Sequence, residues 1–341
     1  MPISPVAISP TGKSESLQVD PADLAEVKAA LQFAVKLGQQ NLFIGAGHTA
    51  KLWDTLATIA AHDLGAARAI EPHLDGIAIF HEAQQPLPDG PAATWGVFAA
   101  EGGPALLAHP TGDRWALTGT KPWCSLADHL DSALVTATLP DGARALFAVK
   151  LTAGNPIVQS DGWIARGLAE IPSVPLRFEM VAATPVGAPG WYLQRPGFAW
   201  GGVSVAACWF GGIVGLARTL YATAHSSPNP DAIMLMQLGT VDETLESARR
   251  ALAEAAQLID SGRAVGAAGK VLALRVRATV AEAAEETLTR VGHVLGPAPL
   301  VQNEQHAKRV ADLSLYIRQH HAEKDLAALG GALVRGERAP W

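Results

Sequence analysis

Cysteine is nearly absent: Cys124 and Cys208 are the only two in 341 residues, far apart and in no CxxC spacing. That excludes a disulfide framework or a cysteine-based zinc site as the organising device, and a reducing cytoplasm is the expected compartment. Charge is scarce too. Only 17% of residues are charged, the formal net charge is -6, and no long Lys/Arg run occurs, which argues against nucleic acid as a partner. No apolar run opens the chain: MPISPVAISPTGKSES is rich in Pro and Ser, so a signal peptide is not expected and the first residues read as a frayed arm. What the chain does have is apolar material, 49% of its residues, enough for a large core.

The longest uncharged stretch, residues 198–217, is twenty residues long and formally able to cross a bilayer. Its five glycines and its continuation into Arg218-Thr219-Leu220-Tyr221 favour a helix buried among other helices, so no membrane span is expected. Upstream, Asp20 before Pro21 is a helix start, with Leu24, Val27, Leu31 and Val35 repeating at helical spacing. Residues 49–68 predict a second helix and residues 71–83 a third. His73 and His81 read as core or solvated histidines, and no metal site is expected. The Gly45 and Gly47 pair is no dinucleotide fingerprint, since no strand precedes it.

The Pro/Gly-rich stretch 84–91 is a linker, after which short extended runs replace helical periodicity. Strands are predicted around residues 145–149 and 174–180, with turns at Asp141-Gly142 and residues 185–190. From Trp200 the pattern is helical again, over residues 203–224, 234–261, 265–295 and 304–329, which predicts a four-helix bundle. The division is residues 1–91, 92–190 and 191–341.

Between linker and bundle lies GDRWALTGTKPWCSLA, residues 112–127. It reads as a hairpin with Gly119-Thr120 at the turn. Pro122 cannot donate to a ladder, which places a bulge or an edge there and leaves Trp123 and the Ser125 hydroxyl beside a break in pairing.

The words W-x-L-x-G-x-K-x-W-x-S-x-A, followed by Asp131-Ser132-Ala133-Leu134-Val135-Thr136-Ala137, resemble the middle domain of the acyl-CoA dehydrogenase superfamily. The resemblance implies an α+β multidomain fold: an N-terminal helical domain, a middle β-barrel and a C-terminal four-helix bundle through which copies pair as homodimers or homotetramers. It implies FAD, with Trp123 against the isoalloxazine ring, Cys124 between, and Ser125 near flavin N5. Ala99 and Ala100 fall on the segment that crosses the pyrimidine edge. Of the words that hold the dinucleotide, Gln237 and Gly296 match and His293 stands where the family has Gln, and the three are the remaining cofactor-binding candidates.

Several family words are altered. Where an Arg-x-x-Phe-Gly word meets the FAD pyrophosphate, this chain has Ser226-Ser227-Pro228-Asn229-Pro230. Losing one charge-assisted hydrogen bond of about 1.5–3 kcal/mol leaves FMN, or an empty site, as alternatives to FAD. The two family positions for a catalytic Glu fall on His320 and near Gly201. An imidazole is a base near neutral pH, so His320 and His321 are the candidate catalytic residues, with Asp325 four residues on to orient His321. The leading expectation is oxidation of an acyl-CoA or other small molecule by hydride transfer to flavin. A two-component flavin monooxygenase and a non-catalytic structural subunit are the alternatives.

Overall fold

The computed structural model describes residues 3–9, 11–151, 155–159 and 162–336. Helices α1 (Val27–Gly38), α2 (Thr49–His62) and α3 (Leu64–Glu82) come first, α1 preceded by a 3-10 turn (Pro21–Leu24) that Asp20 caps by accepting from the Ala22 amide. The second predicted helix is two. Asp63 adopts an extended conformation and its carboxylate accepts from the Ala66 amide, so α3 starts afresh there and runs through Pro72. The missing amide of Pro72 costs one intrahelical bond, a loss set against burial of α3 between sheet and bundle.

The middle of the chain is a seven-stranded sheet: β1 (Trp95–Phe98), β2 (Leu107–Thr111), β3 (Arg114–Ser125), β4 (Ser132–Thr138), β5 (Arg144–Lys150), β6 (Ile157–Val158) and β7 (Ser173–Val186). Strand β1 lies parallel to β4 at the edge, and antiparallel pairs join β4 to β5, β5 to β7, β7 to β3 and β3 to β2. β2 returns to β4 through one pair, Leu107 opposite Thr138. The expected barrel is thus a rolled sheet whose seam is a single register pair. The hairpin turn is Gly112-Asp113, since Thr111 pairs with Arg114. Gly119, at φ +125, is instead a bulge inside one long strand, and a second register shift between Lys121 and Cys124 coincides with Pro122.

The rest is helical: α4 (Trp191–Gln194), α5 (Pro196–Ser226), α6 (Ala232–Asp260), α7 (Gly266–Leu295), α8 (Ala298–Gln302), α9 (Glu304–Tyr316) and α10 (Glu323–Val334). The fourth long helix of the sequence reading is broken. It ends in a 3-10 turn (Ile317–Gln319), passes through Ala322 at φ +47 and restarts as α10. Helix α5 is the apolar stretch, and it packs against α2, α3, α6, α7 and α9. Of its most apolar window 72% is buried inside the protein, as a central core helix requires. At Gly211 a Cβ would lie 2.2 Å from the Ala57 carbonyl oxygen, so α2 and α5 meet backbone to backbone.

The N-terminal arm is not frayed. Val6 and Ile8 are buried, and Asp54 of α2 accepts from the amides of Ile8 and Glu15, both at 2.7 Å. Thr58 and Thr55 accept from Val6 and Leu17. From the far side, Arg218 donates to the carbonyls of Ser4 and Pro5, and Arg249 to those of Ile8 and Ser9. Burial pushes the Asp54 carboxyl up, and the two backbone donors oppose that. Sequence alone does not reveal such a strap, because every partner is distant.

Candidate functional site

The bulge at Pro122 turns the end of β3. Trp123 has φ +59 and is 58% exposed, so its indole faces outward. Side chains alternate from there: Cys124 is buried in the core, with Sγ 3.2 Å from the Lys121 carbonyl oxygen, and burial pushes its thiol up to about 12. Its side chain therefore offers a ligand nothing. Ser125 returns to the outer side, where its Oγ lies 2.7 Å from Ser173 Oγ and accepts from Arg68 Nη2 at 2.8 Å.

A narrow crevice of about 10 Å³ lies here between α3 and the sheet, lined by Arg68, Pro72, Gly96, Phe98, Ser125 and Leu130 among others. Ala99 and Ala100 follow directly on β1, half-buried and exposed respectively. Gly102 and Gly103 both have positive φ. A Cβ on Gly103 would meet nothing within 4 Å, and one on Gly102 only Pro122. An exposed indole, a hydroxyl and a side-chain-free loop suit a flat ring. Next to that loop, Glu101 pairs with Arg144 and with buried Lys121, whose ammonium donates to Thr136 Oγ1 at 2.7 Å. Burial pulls the Lys121 pKa down, while Glu101 opposes that.

Behind Ser125 the polar groups run on into the bundle. Arg68 stands over the Tyr316 ring at 5.9 Å, and Tyr316 and Trp209 rings meet edge to face at 6.2 Å. Arg277 of α7 sits 4.8 Å over Trp209 and donates to the carbonyls of Gly202 at 2.6 Å and Gln319 at 2.8 Å. Glu71 is 7% exposed, and burial, reinforced by Asp75, pushes its carboxyl up to about 8. Gly201 carries no side chain, but a Cβ there would lie 3.2 Å from Asp75 Oδ1, so a carboxylate from α3 already borders that position.

His320 follows Gln319. Its ring is 10% exposed, with Nε2 3.8 Å from Asp325 Oδ2, and burial lowers its pKa, opposed by Asp325. His321 is 68% exposed, its Nδ1 3.3 Å from Asp325 Oδ1. The contact with Asp325 is present, but not along a helix face: His321 precedes α10, and Asp325 reaches back to accept its backbone amide at 3.1 Å. Gln237, His293 and Gly296 lie elsewhere, at the shared end of α6 and α7. Gln237 is buried and its Oε1 accepts from Arg290, His293 is exposed, and Gly296 at φ +63 ends α7. Among the described residues, none of the three touches Trp123 or Ser125.

Arg68, Glu71 and Arg277 were not singled out from sequence. The signal for the first two was present on α3, where Arg68, Glu71 and Asp75 recur at three and four residues in a largely apolar helix. A separate cluster, Asp63, Glu170 and Asp312, converges on the Lys308 ammonium at 3.1, 2.6 and 2.7 Å. A cation of the chain itself fills that centre.

No family model matches this chain, and no curated protein does. Solved structures do. TdsC from Paenibacillus sp. A11-2, seen with FMN and indole and described elsewhere as a dibenzothiophene monooxygenase, superposes with a TM-score of 0.76 at 15% identity, over 92% of this chain and 90% of that one. The fold is acyl-CoA dehydrogenase-like. KijD3, seen with FMN and a dTDP-amino-sugar, superposes with a TM-score of 0.73 at 19% identity, covering 92% of this chain and 85% of its own. A steroid acyl-CoA dehydrogenase, Tcur3481-Tcur3483, gives 0.72 at 19% identity over 93% and 91%. Sheet and flanking helices are thus arranged in this chain as in structures solved with bound FMN.

Proposed function

We propose that this chain is a flavin-dependent oxidoreductase, and that it uses reduced flavin and dioxygen to oxygenate a small, largely apolar molecule. The observation that carries the reading is the Ser125 hydroxyl at the crevice between α3 and the sheet, bonded to the Arg68 guanidinium, with the exposed indole of Trp123 two residues before it on the same strand. When bound, a flavin supplies two electrons and the reaction with oxygen. The protein's part is placement. Trp123 offers a face for the ring, Ser125 a hydroxyl at its reactive edge, and Arg68 a positive charge beside that hydroxyl. Phe98, Leu126, Leu130 and Pro72 exclude water from the remaining wall.

Two features favour oxygenation over oxidation of an acyl thioester. Neither family position for the proton-abstracting Glu holds a carboxylate, Gly201 having no side chain and His320 an imidazole of lowered pKa. Gln237 is taken by Arg290, which favours FMN over the longer dinucleotide, in line with the FMN in the TdsC and KijD3 complexes. Pairing of copies through the bundle belongs to the same reading, since Ile233, Leu235 and Met236 at the start of α6 are exposed.

The test begins with purified protein titrated with FMN and with FAD, followed by visible absorbance. Product from indole only when externally reduced FMN and oxygen are both supplied supports the reading. Anaerobic bleaching of bound flavin by an acyl-CoA would replace it with dehydrogenation. A protein that takes up neither flavin would leave a structural subunit.

A further inference from the structure

Resting on the flavin reading above, one group between sheet and bundle has no role in it. Glu71, on α3, is 7% exposed. The groups facing it are Arg68 and Asp75 on its own helix, Tyr192 from α4, Cys208 from α5, Arg277 from α7 and Tyr316 from α9. Two of these are guanidiniums, yet among the described residues Glu71 makes no hydrogen bond and no ion pair. Both arginines are committed to other oxygens: Arg68 to Ser125 Oγ, and Arg277 to the carbonyls of Gly202 and Gln319. A buried carboxylate so close to two cations would pair with one of them. A neutral carboxylic acid need not.

We propose that Glu71 is the proton-holding positioning residue of the site: as a neutral acid it leaves Arg68 on Ser125 and Arg277 on Gln319, and as a carboxylate it draws both arginines to itself. The step is the loss of one proton from a Glu71 carboxyl oxygen to solvent, leaving one negative charge. Arg68 lies within reach at three residues' spacing on the same helix. Withdrawal of Arg68 would remove the positive charge from Ser125, and withdrawal of Arg277 would release the Gln319 carbonyl next to His320. The elevated affinity of this carboxyl for its proton, with burial as the leading cause, puts the change near neutral to mildly alkaline pH.

The experiment has two arms. In the flavin-free wild-type protein carrying carboxyl-labelled glutamate, NMR is expected to show one glutamate carboxyl titrating near pH 8, absent from Glu71→Gln. If every glutamate carboxyl titrates below pH 6, the proposal is overturned, whether or not flavin binds. In the second arm, FMN affinity of the wild type should change about tenfold across that titration, while Glu71→Gln holds one affinity throughout and Glu71→Asp restores the dependence. Equal pH dependence in wild type and Glu71→Gln would overturn the link to Ser125. Failure of FMN to bind at all would count against the functional reading and leave the NMR arm to decide on Glu71.

Discussion

Trp123 is an indole on strained backbone that packs little. Trp123→Ala should change folding stability by less than about 0.5 kcal/mol, while FMN affinity falls about tenfold or more by fluorescence titration. Equal affinities would remove the indole from the site. Two buried groups on α3 give opposite pH signatures. His73 accepts from the Trp95 amide through Nδ1 at 3.2 Å, and burial lowers its pKa from 6.5 to about 4. Between those values the unfolded chain holds a proton that the folded one lacks, so its contribution to stability falls on acidification from pH 6.5 to 4, at up to about 1.4 kcal/mol per pH unit. Glu71 runs the other way. The folded chain keeps its proton from pH 4.5, where the unfolded side chain loses it, up to about 8, so stability falls as pH rises through that window. Denaturant titrations of wild type against Glu71→Gln should therefore show the variant gaining on the wild type between pH 5 and pH 8, and a constant difference would contradict this.

At the scale of elements, the strap and the joint between α2 and α5 carry the sharpest expectations. Asp54→Ala strands the buried Ile8 amide, at a cost of about 1–3 kcal/mol, and releases the part-buried Glu15 amide, and limited proteolysis should then cut within the first twenty residues before anywhere else. Gly211→Val forces a branched side chain against the Ala57 carbonyl and should lower the thermal midpoint by an overpacking cost of at least about 1–3 kcal/mol. Elements with local signals were legible in the sequence: the Asp20 cap, the linker, the bulge at Pro122 and the long apolar helix. Three were not, each for a local reason. Asp63 caps a helix in the middle of an unbroken apolar pattern, Gly119 served a bulge where a turn fits equally well, and the fourth bundle helix breaks at residues with ordinary helical propensity.

For the molecule as a whole, the order of helices, sheet and helices was readable because hydrophobic period changes at the linker and again before α5. The tie between them was not. Arg68 to Ser125, Asp54 to the arm and Lys308 to Asp63 and Glu170 join residues dozens to hundreds of positions apart, and nothing in local spacing announces such pairs. Lys308 holds the start of α3, the segment before β7 and α9 together, so Lys308→Met, which leaves Asp312 buried without its cation, should cost about 3 kcal/mol or more in chemical denaturation. Of the described tryptophans, Trp53, Trp95 and Trp209 are buried, Trp115, Trp163, Trp191 and Trp200 half-buried, and Trp123 alone is exposed. Among the described tryptophans, red-edge emission and sensitivity to acrylamide therefore belong chiefly to one ring, and that ring is an optical gauge for anything that settles at the end of β3.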